Sequence, residues 1–483
     1  MAAPLDPRQP LHFVGVGGIG MSALAGILAE RGFTVSGSDP RPNPVLDRLR
    51  RSGVRVFLSQ QAGTIAAIRS EGAPEPLVVI SSAVPESNAE VVEARRLGLR
   101  LCHRSDVLAA LINAQSSIAV AGSHGKTTTS TLIATLLEAT GRDPTAVIGG
   151  IVPAFGSNAR QGGGRLLVAE ADESDGTLVK FAPDLGVITN IELDHTDHYP
   201  DLATLIATLQ RFAAGSRHLL ANRDCPILRD HFEAHSWWST QSSEAVTYAA
   251  IPREERGDGT SADFYEAGER VGSFELPLPG RHNLSNAVAA LAACRLEGVP
   301  FRDLRDAMGR LRPPGRRFDC RGVWRDRIVV DDYAHHPSEV AATLATARLM
   351  VESGRSPLPV PPRRLMAVFQ PHRYSRTAQF LQGFAQALGQ ADVVLLAPLY
   401  SAGELPIDGI SSAALAAAVR VLAPSLPVMV AENLDELAAQ VARASRPGDL
   451  VLAMGAGDVN SLWDRLLSHH DQADHPAAAF RAA

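Results

Sequence analysis

The chain has 483 residues, of which 45% are hydrophobic and 20% are charged, and its formal net charge at pH 7 is −6. This length predicts two to four domains with ample hydrophobic core. A mildly acidic chain without a Lys/Arg run is not typical of nucleic-acid-binding proteins, so we expect no nucleic-acid partner.

Signals for membrane insertion and secretion are weak. Charged residues, Gly or Pro break the apolar runs well before the length of a membrane span, and residues 1–8 lack the apolar core of a signal peptide. The cysteines form no CxxC pair, so we expect neither a disulfide framework nor a zinc site. They are Cys102, Cys225, Cys294 and Cys320. These features favour a cytoplasmic protein without membrane insertion.

Short β-type runs alternate with Ala- and Leu-rich helical stretches, a pattern that is typical of parallel α/β sheets. The runs fall into three blocks, which predict an α/β protein with three domains. We expect a Rossmann-like domain over residues 1–114, a central P-loop ATPase-type domain over 115–314 and a Rossmann-like domain over 315–483. The polar or Pro-rich stretches Thr240–Ala262 and Ser353–Arg364 are expected to be loops or insertions.

In the first block, a glycine-rich loop of the form GxGxxG follows the β-type run Leu11–Val16. Asp39 closes the next run, at about the spacing at which an acidic side chain meets a ribose hydroxyl. A dinucleotide would fit this pattern, but a diphosphate on another nucleotide would use the same backbone donors. A tight turn without a ligand is a further possibility. The candidate binding residues are Gly17, Gly18, Ile19, Gly20 and Asp39.

A second glycine-rich loop opens the central block between the apolar run Ile118–Ala121 and the helical run Thr129–Glu138. Its residues are Gly122, Ser123, His124, Gly125, Lys126, Thr127 and Thr128. Strand, glycine turn, Lys-Thr and helix is the order of a phosphate-binding loop, in which Lys126 meets the outer phosphates and Thr127 offers a hydroxyl to Mg²⁺. The loop is two residues shorter than GxxxxGK[ST], so a glycine turn without a ligand is the alternative. We predict binding of a nucleoside triphosphate.

Acidic and histidine side chains follow two further strands of the central block. The run from Ala169 to Asp175 places carboxylates just past a strand end, where they could hold Mg²⁺, and we favour Glu170. A solvated acidic loop is the alternative. His195 lies among carboxylates after another apolar run, which predicts a position near a metal ion. Our hypothesis is one Mg²⁺ on Thr127 and Glu170 and a second near Glu170 and His195. His198 resembles a ligand by spacing alone.

Two asparagines mark the start of a predicted helix near the end of the central block. Asn283 and Asn286 are three residues apart, so both can face one ligand near the helix N-terminus. The alternative role, capping of the helix N-terminus, would explain one of the two asparagines but not both.

Taken in this order, the motifs resemble the Mur ligase family of peptidoglycan synthesis over nearly the whole chain. The resemblance rests on the shortened phosphate loop, on Asn190–His195 and Gly280–Asn286, and, for the branch of the family that adds L-alanine, on Val14–Ser22, Asp331–Pro337 and Phe369–Thr377. Ser123 stands where Thr is common, and Leu193 stands where Pro is common; we expect both departures to be tolerated.

The resemblance implies an ATP- and Mg²⁺-dependent ligase. It would join the lactyl carboxylate of UDP-N-acetylmuramate to the amine of L-alanine through an acyl phosphate, converting ATP to ADP and phosphate. The first glycine loop would then hold the diphosphate of the UDP-sugar rather than NAD. The chain would act as a monomer or a homodimer.

The resemblance also implies roles for individual residues. The catalytic residues would be Lys126, Glu170, His195, Arg317 and Asp332, and the metal ligands would be Thr127, Glu170 and His195. The ATP site would consist of the phosphate loop with Asn283 and Asn286. Substrate would contact the first glycine loop and also Ser81, Ser82, His336, His372 and Arg373. Arg373 could hold the carboxylate of the amino acid. His372 or His336 could help the amine to lose its proton, or could be structural.

Three alternatives stay open at this point. A related ligase that attaches an intact tripeptide to the same UDP-sugar would share the first two blocks. An NAD-dependent dehydrogenase would use the first glycine loop but would leave the phosphate loop, Glu170 and His195 without a role. A non-catalytic nucleotide-binding module would not need so many polar groups after strand ends.

Overall fold

The structure is a computed structural model that describes residues 4–69 and 74–474, with side chains up to residue 468. The strands of these residues form three separate sheets, which lie between residues 11 and 103, 117 and 276, and 319 and 454. Parallel strands joined by helices dominate each sheet, which confirms the predicted α/β class. The domain limits at 114/115 and 314/315 stay predictions.

The N-terminal sheet is parallel and has the order β3-β2-β1-β4-β5. Its strands are β1 (Leu11–Val14), β2 (Val35–Ser38), β3 (Arg55–Phe57), β4 (Leu77–Ile80) and β5 (Leu101–His103), and its helices are α1 (Ile19–Glu30), α2 (Pro44–Arg51), α3 (Ala62–Ile68), α4 (Ala89–Arg96) and α5 (Arg104–Asn113). The strand order reverses between β1 and β4. Ligands of open α/β sheets bind at such a point, and the first glycine loop follows β1 directly.

The central sheet has the order β15-β14-β13-β12-β11-β10-β6-β9-β7-β8. Its strands are β6 (Ser117–Ala121), β7 (Thr145–Val152), β8 (Ser157–Arg160), β9 (Leu167–Glu170), β10 (Leu185–Ile188), β11 (His218–Asn222), β12 (Ser236–Ser239), β13 (Tyr248–Arg256), β14 (Gly259–Glu266) and β15 (Glu269–Leu276). Its helices are α6 (Lys126–Ala139), α7 (Leu202–Gly215), α8 (Pro226–His231), α9 (Arg281–Leu296) and α10 (Phe301–Ala307). The buried strand β6 lies between β9 and β10.

The prediction of a loop over Thr240–Ala262 was wrong. This stretch contains all of β13 and the start of β14, which pair antiparallel with each other. The polar end of β13 is exposed in part because the hairpin lies at one end of the sheet, so its composition resembles that of a loop. The stretch predicted as a loop at 353–364 does separate a helix that ends at Ser353 from a strand that begins at Arg364.

The C-terminal sheet has the order β16-β17-β21-β18-β19-β20, with β16 antiparallel at the edge. Its strands are β16 (Asp319–Trp324), β17 (Arg327–Asp332), β18 (Arg364–Phe369), β19 (Val393–Leu396), β20 (Val428–Val430) and β21 (Asp449–Met454), and its helices are α11 (Pro337–Ser353), α12 (Tyr374–Leu388), α13 (Ser412–Leu422), α14 (Leu434–Ala444) and α15 (Leu462–Asp474). Asp332 is the last residue of β17 and is buried.

Packing of α6 on α9 brings together two of the motifs that are predicted to bind a nucleotide. Both helices are buried over most of their length, and α9 is rich in alanine. Because alanine side chains are small, the two helices approach closely, and the amide of Asn286 reaches the first turn of α6: Thr129 Oγ1 donates to Asn286 Oδ1 over 3.2 Å. Among the described residues, no helix combines the length and the apolar character needed to cross a bilayer.

Candidate active site

The phosphate loop joins the end of β6 to the start of α6. Gly122 and Gly125 have positive φ angles of 122° and 81°, which glycine adopts readily. The residues after β10 hold the loop: Asn190 Oδ1 accepts from His124 N at 2.9 Å, and Thr189 Oγ1 donates to His124 O at 2.6 Å. The backbone of the loop is therefore fixed before any anion arrives.

Lys126 lies across the loop and forms an ion pair with Glu173. Its Nζ lies 2.9 Å from Glu173 Oε1 and 2.8 Å from Gly122 O. Burial opposes the charge on the amine, but the nearby carboxylates of Glu173, Asp172 and Glu170 outweigh burial and raise the pKa of Lys126. The lysine is therefore charged. Nothing in the sequence distinguishes Glu173 from the other acidic residues of its run.

Thr127 and Glu170 form the pair predicted to hold a metal ion. Thr127 Oγ1 donates to Glu170 Oε1 at 2.9 Å, and Gly149 N donates to Glu170 Oε2 at 2.7 Å. Burial raises the pKa of Glu170 even though Lys126 opposes that shift. A hydroxyl and a buried carboxylate are the hard oxygen donors that Mg²⁺ prefers, and a cation would offset the cost of burying this charge, so the residues fit Mg²⁺.

His195 belongs to a neighbouring group. Its Nε2 lies 3.4 Å from Glu173 Oε1, and candidate ligand atoms of Asp172, Glu173 and His195 all lie within 4.8 Å of one another. Among the described residues, Glu170 is not part of this group, although we expected one ion near Glu170 and His195. His195 has a φ of 53°, a strained backbone conformation that clusters at functional sites. His198 packs edge-on against Tyr199.

A cavity of about 780 Å³ separates the central and C-terminal domains beside the phosphate loop. Its lining includes four residues that the family resemblance assigned to ATP: Asn283, Asn286, Arg317 and Asp332. His124, Gly125 and Thr128 of the loop line the same cavity, together with the apolar residues Leu278, Pro313, Phe318, Met350 and Leu358. A site of this volume with an apolar wall and a few polar groups is suited to a nucleotide.

Asp332 organises the backbone where the chain enters the C-terminal domain. Its Oδ2 accepts from Phe318 N at 2.7 Å and its Oδ1 accepts from Ala334 N at 2.8 Å. Burial raises the pKa of Asp332 to about 6, against the opposing charge of Arg317. Arg316 and Phe318, on either side of Arg317, have positive φ angles of 60° and 50°, so the backbone there is strained.

His124 connects the phosphate loop to the C-terminal domain. Its Nε2 lies 2.9 Å from Glu192 Oε2, and its Nδ1 lies 3.2 Å from Glu339 Oε1. Because a carboxylate accepts and does not donate, both ring nitrogens carry a proton. Burial opposes this charge, but hydrogen bonds to the two glutamates outweigh it and raise the pKa of His124 to about 9. Glu339 was not predicted from the sequence; the structure places it in a capping box with His336 at the start of α11.

The histidines and arginine predicted to contact substrate lie at the same boundary. His372 Nδ1 lies 3.1 Å from Arg376 Nη1, and burial together with Arg376 lowers the pKa of His372 to about 3. His372 is therefore a neutral acceptor for Arg376 and a weak base for an amine. His336 is buried beside the ring of His124, at 4.7 Å between centroids. Arg373 has a φ of 69° and its Nη1 lies 2.7 Å from Asp197 Oδ2.

The first glycine loop is organised by Asp39, whose Oδ2 accepts from Gly17 N at 3.0 Å. Gly18 is the N-cap of α1, which begins at Ile19, and a Cβ on Gly20 would lie 3.1 Å from Arg104 Nη1. Ser81 and Ser82 follow β4, which neighbours β1. These residues therefore share one edge of the N-terminal sheet.

Two contacts bring this edge towards the acidic run of the central domain. Ser82 Oγ donates to Asp175 Oδ2 at 3.2 Å, and Arg104 Nη2 lies 3.9 Å from Asp172 Oδ2. The edge of the N-terminal sheet that carries the first glycine loop therefore lies beside the acidic run after β9.

Family models match most of the chain. The Mur ligase family catalytic domain matches residues 10–116, the Mur ligase middle domain matches 120–294, and the Mur ligase glutamate ligase domain matches 316–457.

Known proteins are similar over nearly the full length. The UDP-N-acetylmuramate–L-alanine ligase of Synechococcus sp. (strain CC9605) is 64% identical over 465 residues, which are 96% of this chain and 99% of that relative. The enzyme of the same name from Prochlorococcus marinus (strain MIT 9303) is 63% identical over 466 residues, 96% of each chain.

Solved structures share the fold. The UDP-N-acetylmuramate–alanine ligase of Thermotoga maritima has a TM-score of 0.78 at 26% identity and covers 96% of this chain and 99% of its own. A murein peptide ligase of Psychrobacter arcticus has a TM-score of 0.67 at 22% identity, covers 95% of this chain and 98% of its own, and supports the fold alone. From the family models and these relatives, the chain belongs to the Mur ligase family.

Proposed function

We propose that this protein is an ATP-dependent amide ligase that joins L-alanine to the lactyl carboxylate of UDP-N-acetylmuramate in peptidoglycan precursor synthesis. The similarity to ligases of this activity, at 62 to 64% identity over nearly the whole chain, carries the proposal. The site agrees with it, because the edge of the N-terminal sheet that carries the first glycine loop lies beside the acidic run of the central domain, and Glu173 of that run pairs with Lys126 of the phosphate loop.

The chemistry requires activation of a carboxylate. A carboxylate is a poor electrophile, so ATP phosphorylates it and phosphate leaves when the amine attacks. The first step brings an anion against a polyanion, and two like charges about 4 Å apart cost roughly 4 kcal/mol at an effective dielectric constant of 20. Positive charge at the phosphate loop must offset this repulsion.

The charged amine of Lys126 is suited to that task. In the present arrangement it is held by Glu173 at 2.9 Å, and we propose that it turns to the outer phosphates of ATP when the nucleotide binds. Thr127 and Glu170 would hold Mg²⁺, with His195 close by, and the ion would supply further neutralising charge. Asn283, Asn286, Arg317 and Asp332 would contact ATP in the cavity that they line.

The remaining predicted residues are proposed to bind the other substrates. Gly17, Gly18, Ile19, Gly20 and Asp39, with Ser81 and Ser82, would bind the UDP-sugar, and His336, His372 and Arg373 would lie near the amino acid. For Arg373 to hold the carboxylate of alanine, that carboxylate must replace Asp197 as its partner.

We further propose the domain limits 1–114, 115–314 and 315–483, a cytoplasmic location and a monomer or homodimer. The ligase that attaches a tripeptide is the second candidate, but the relatives at 62 to 64% identity carry the name of the alanine-adding ligase. A dehydrogenase would leave the phosphate loop and its acidic partners without a function.

A direct assay separates these candidates. Purified protein with ATP, Mg²⁺ and UDP-N-acetylmuramate is offered L-alanine or the tripeptide, and ADP and the ligated product are quantified. We expect both only with alanine. ADP release restricted to the tripeptide would overturn the proposal, as would tight NADH binding without an ATP-dependent product.

A further inference from the structure

The hairpin of β7 and β8 in the central domain contacts the surroundings of both glycine loops. Its strands pair at Val147 with Ala159 and again at Val152 with Ser157, with a register shift between these pairs. The β7 residues between them are therefore outside the regular pairing and can make other contacts.

On one side, these residues contact the pair proposed to hold Mg²⁺. Gly149 N donates to Glu170 Oε2 at 2.7 Å. Gly150 lies so close to Thr127 that a Cβ on this glycine would be 2.9 Å from Thr127 Cγ2. The next residue, Ile151, accepts a hydrogen bond from Gly315 N at 3.1 Å, at the start of the C-terminal domain. The inner part of β7 therefore fixes the position of the Glu170 carboxylate.

On the other side, β8 holds the helix that follows the first glycine loop. Asn158 is 5% exposed, and its Nδ2 donates to Ile19 O at 2.8 Å. Ile19 is the first residue of α1, and Ser22 Oγ donates to the same carbonyl at 3.0 Å. A buried amide of the central domain is thus bonded to the backbone at the point where the glycine loop ends.

The opposite end of α1 is attached to the same segment. Arg31 Nε, just past the last turn of the helix, donates to Gln161 Oε1 at 2.7 Å. Asn158 and Gln161 therefore hold both ends of one helix, but only Asn158 lies beside the glycine loop.

We propose that the β7–β8 hairpin sets the distance between the UDP-sugar and the phosphate loop, with Asn158 as a positioning residue for the ligation. This inference rests on the proposed function. Through Ile19, Asn158 fixes the glycine loop that would carry the UDP-sugar, and through Gly149 the same hairpin fixes Glu170. The hairpin would then keep the lactyl carboxylate at a fixed distance from the γ-phosphate. The N-terminal and central domains could not maintain that distance if they moved independently. Misplacement by about 1 Å can cost up to about 100-fold in rate.

The first test is kinetic. Asn158→Ala and Asn158→Asp both remove the donor, and Asn158→Asp keeps the shape of the side chain. We expect kcat to fall about tenfold in both variants, while the KM values for ATP and UDP-N-acetylmuramate stay within about twofold of the wild-type values. An unchanged kcat, with only a lower melting temperature, would overturn the proposal and leave Asn158 a structural residue.

Gln161→Ala is the matched control. It removes an interdomain hydrogen bond from the same helix and the same segment, but at the end that is far from the glycine loop. We expect its kcat to stay within about twofold of the wild-type value. An equal loss in this variant would overturn the specific role of Asn158.

Hydrogen exchange provides a readout that does not depend on turnover. We expect UDP-N-acetylmuramate, added without ATP, to slow amide exchange in the hairpin peptide 145–160 of the wild-type protein but not of Asn158→Ala. Equal protection in both proteins would contradict the proposal. If the wild-type protein releases no ADP in the presence of all three substrates, the proposed function has failed instead, independently of Asn158.

Discussion

Asp194 and Arg376 form a buried ion pair across the boundary between the central and C-terminal domains. Arg376 Nε and Nη2 lie 3.0 and 2.7 Å from Asp194 Oδ1. Arg376 is 6% exposed and Asp194 is 4% exposed. The third nitrogen of the guanidinium group contacts His372. Because removal of one partner leaves an uncompensated buried charge, this pair stabilises the arrangement in which the C-terminal domain covers the phosphate loop.

Arg376→Ala should therefore impair closure more than it impairs substrate binding to the N-terminal domain. Breaking a buried pair costs about 3–5 kcal/mol, which corresponds to a loss of at least about 100-fold in kcat if turnover requires the closed arrangement. Calorimetric titration should show UDP-sugar affinity within about twofold of the wild-type value. Arg348→Ala removes a guanidinium that pairs with Asp392 inside the C-terminal domain, at 3.0 Å, and is the control. Wild-type turnover by Arg376→Ala would refute a role in closure.

The stability of the domain contact should depend on the protonation of His124. Its pKa is raised from 6.5 to about 9 because Glu192 and Glu339 outweigh the effect of burial. Since the folded state holds the proton more tightly than the unfolded state, the stabilisation is complete below about pH 6.5 and is lost as pH rises through about 9. We expect the melting temperature to fall between pH 7 and 9.5 in the wild-type protein, and to fall less in His124→Gln.

NMR titration of the imidazole tests the same assignment directly. The ring of His124 should titrate well above the usual range for histidine, and Glu339→Gln should move its pKa downwards. A ring that titrates near 6.5 in the wild-type protein would contradict the charged link between the domains.

Glu170→Gln should increase the magnesium requirement. The substitution removes the negative charge that would bind the ion but keeps the size of the side chain and its acceptor for Thr127. We expect the Mg²⁺ concentration for half-maximal activity to rise at least about tenfold, as measured at saturating ATP. Glu138→Gln, on the last turn of α6, is the control for loss of a carboxylate from the same domain. An unchanged magnesium profile in Glu170→Gln would exclude this carboxylate as a ligand.

Candidate site residues that belong to one short sequence motif could be predicted from the sequence. The phosphate loop, Glu170 and the pair of Asn283 and Asn286 each follow a strand or begin a helix in a recognisable pattern. The ion pairs that complete the site were not visible. Lys126 and Glu173 are 47 residues apart, Asp194 and Arg376 are 182 apart, and His124 and Glu339 are 215 apart. Such pairs depend on how strands and domains are arranged in space, which local periodicity does not encode.

The fold shows the same distinction. Alternating β-type and helical runs predicted parallel α/β sheets because burial on both faces produces continuous apolar strands. Strand β13 was missed because its second half is polar and partly exposed in an antiparallel hairpin. The pairing of His195 with Glu173 was not predicted because the two residues follow different strands, β10 and β9.

The most direct test of the central claim compares the chain's two lysines, Lys126 and Lys180. Lys180 pairs with Asp106 at 2.6 Å and is not part of the phosphate loop, so Lys180→Ala controls for the loss of a lysine ion pair elsewhere in the chain. With ATP, Mg²⁺, UDP-N-acetylmuramate and hydroxylamine, which traps acyl phosphates, Lys126→Ala should give no hydroxamate above background. It should still bind the UDP-sugar within about twofold of the wild-type affinity, and Lys180→Ala should give hydroxamate. Wild-type rates of hydroxamate formation by Lys126→Ala would contradict the account.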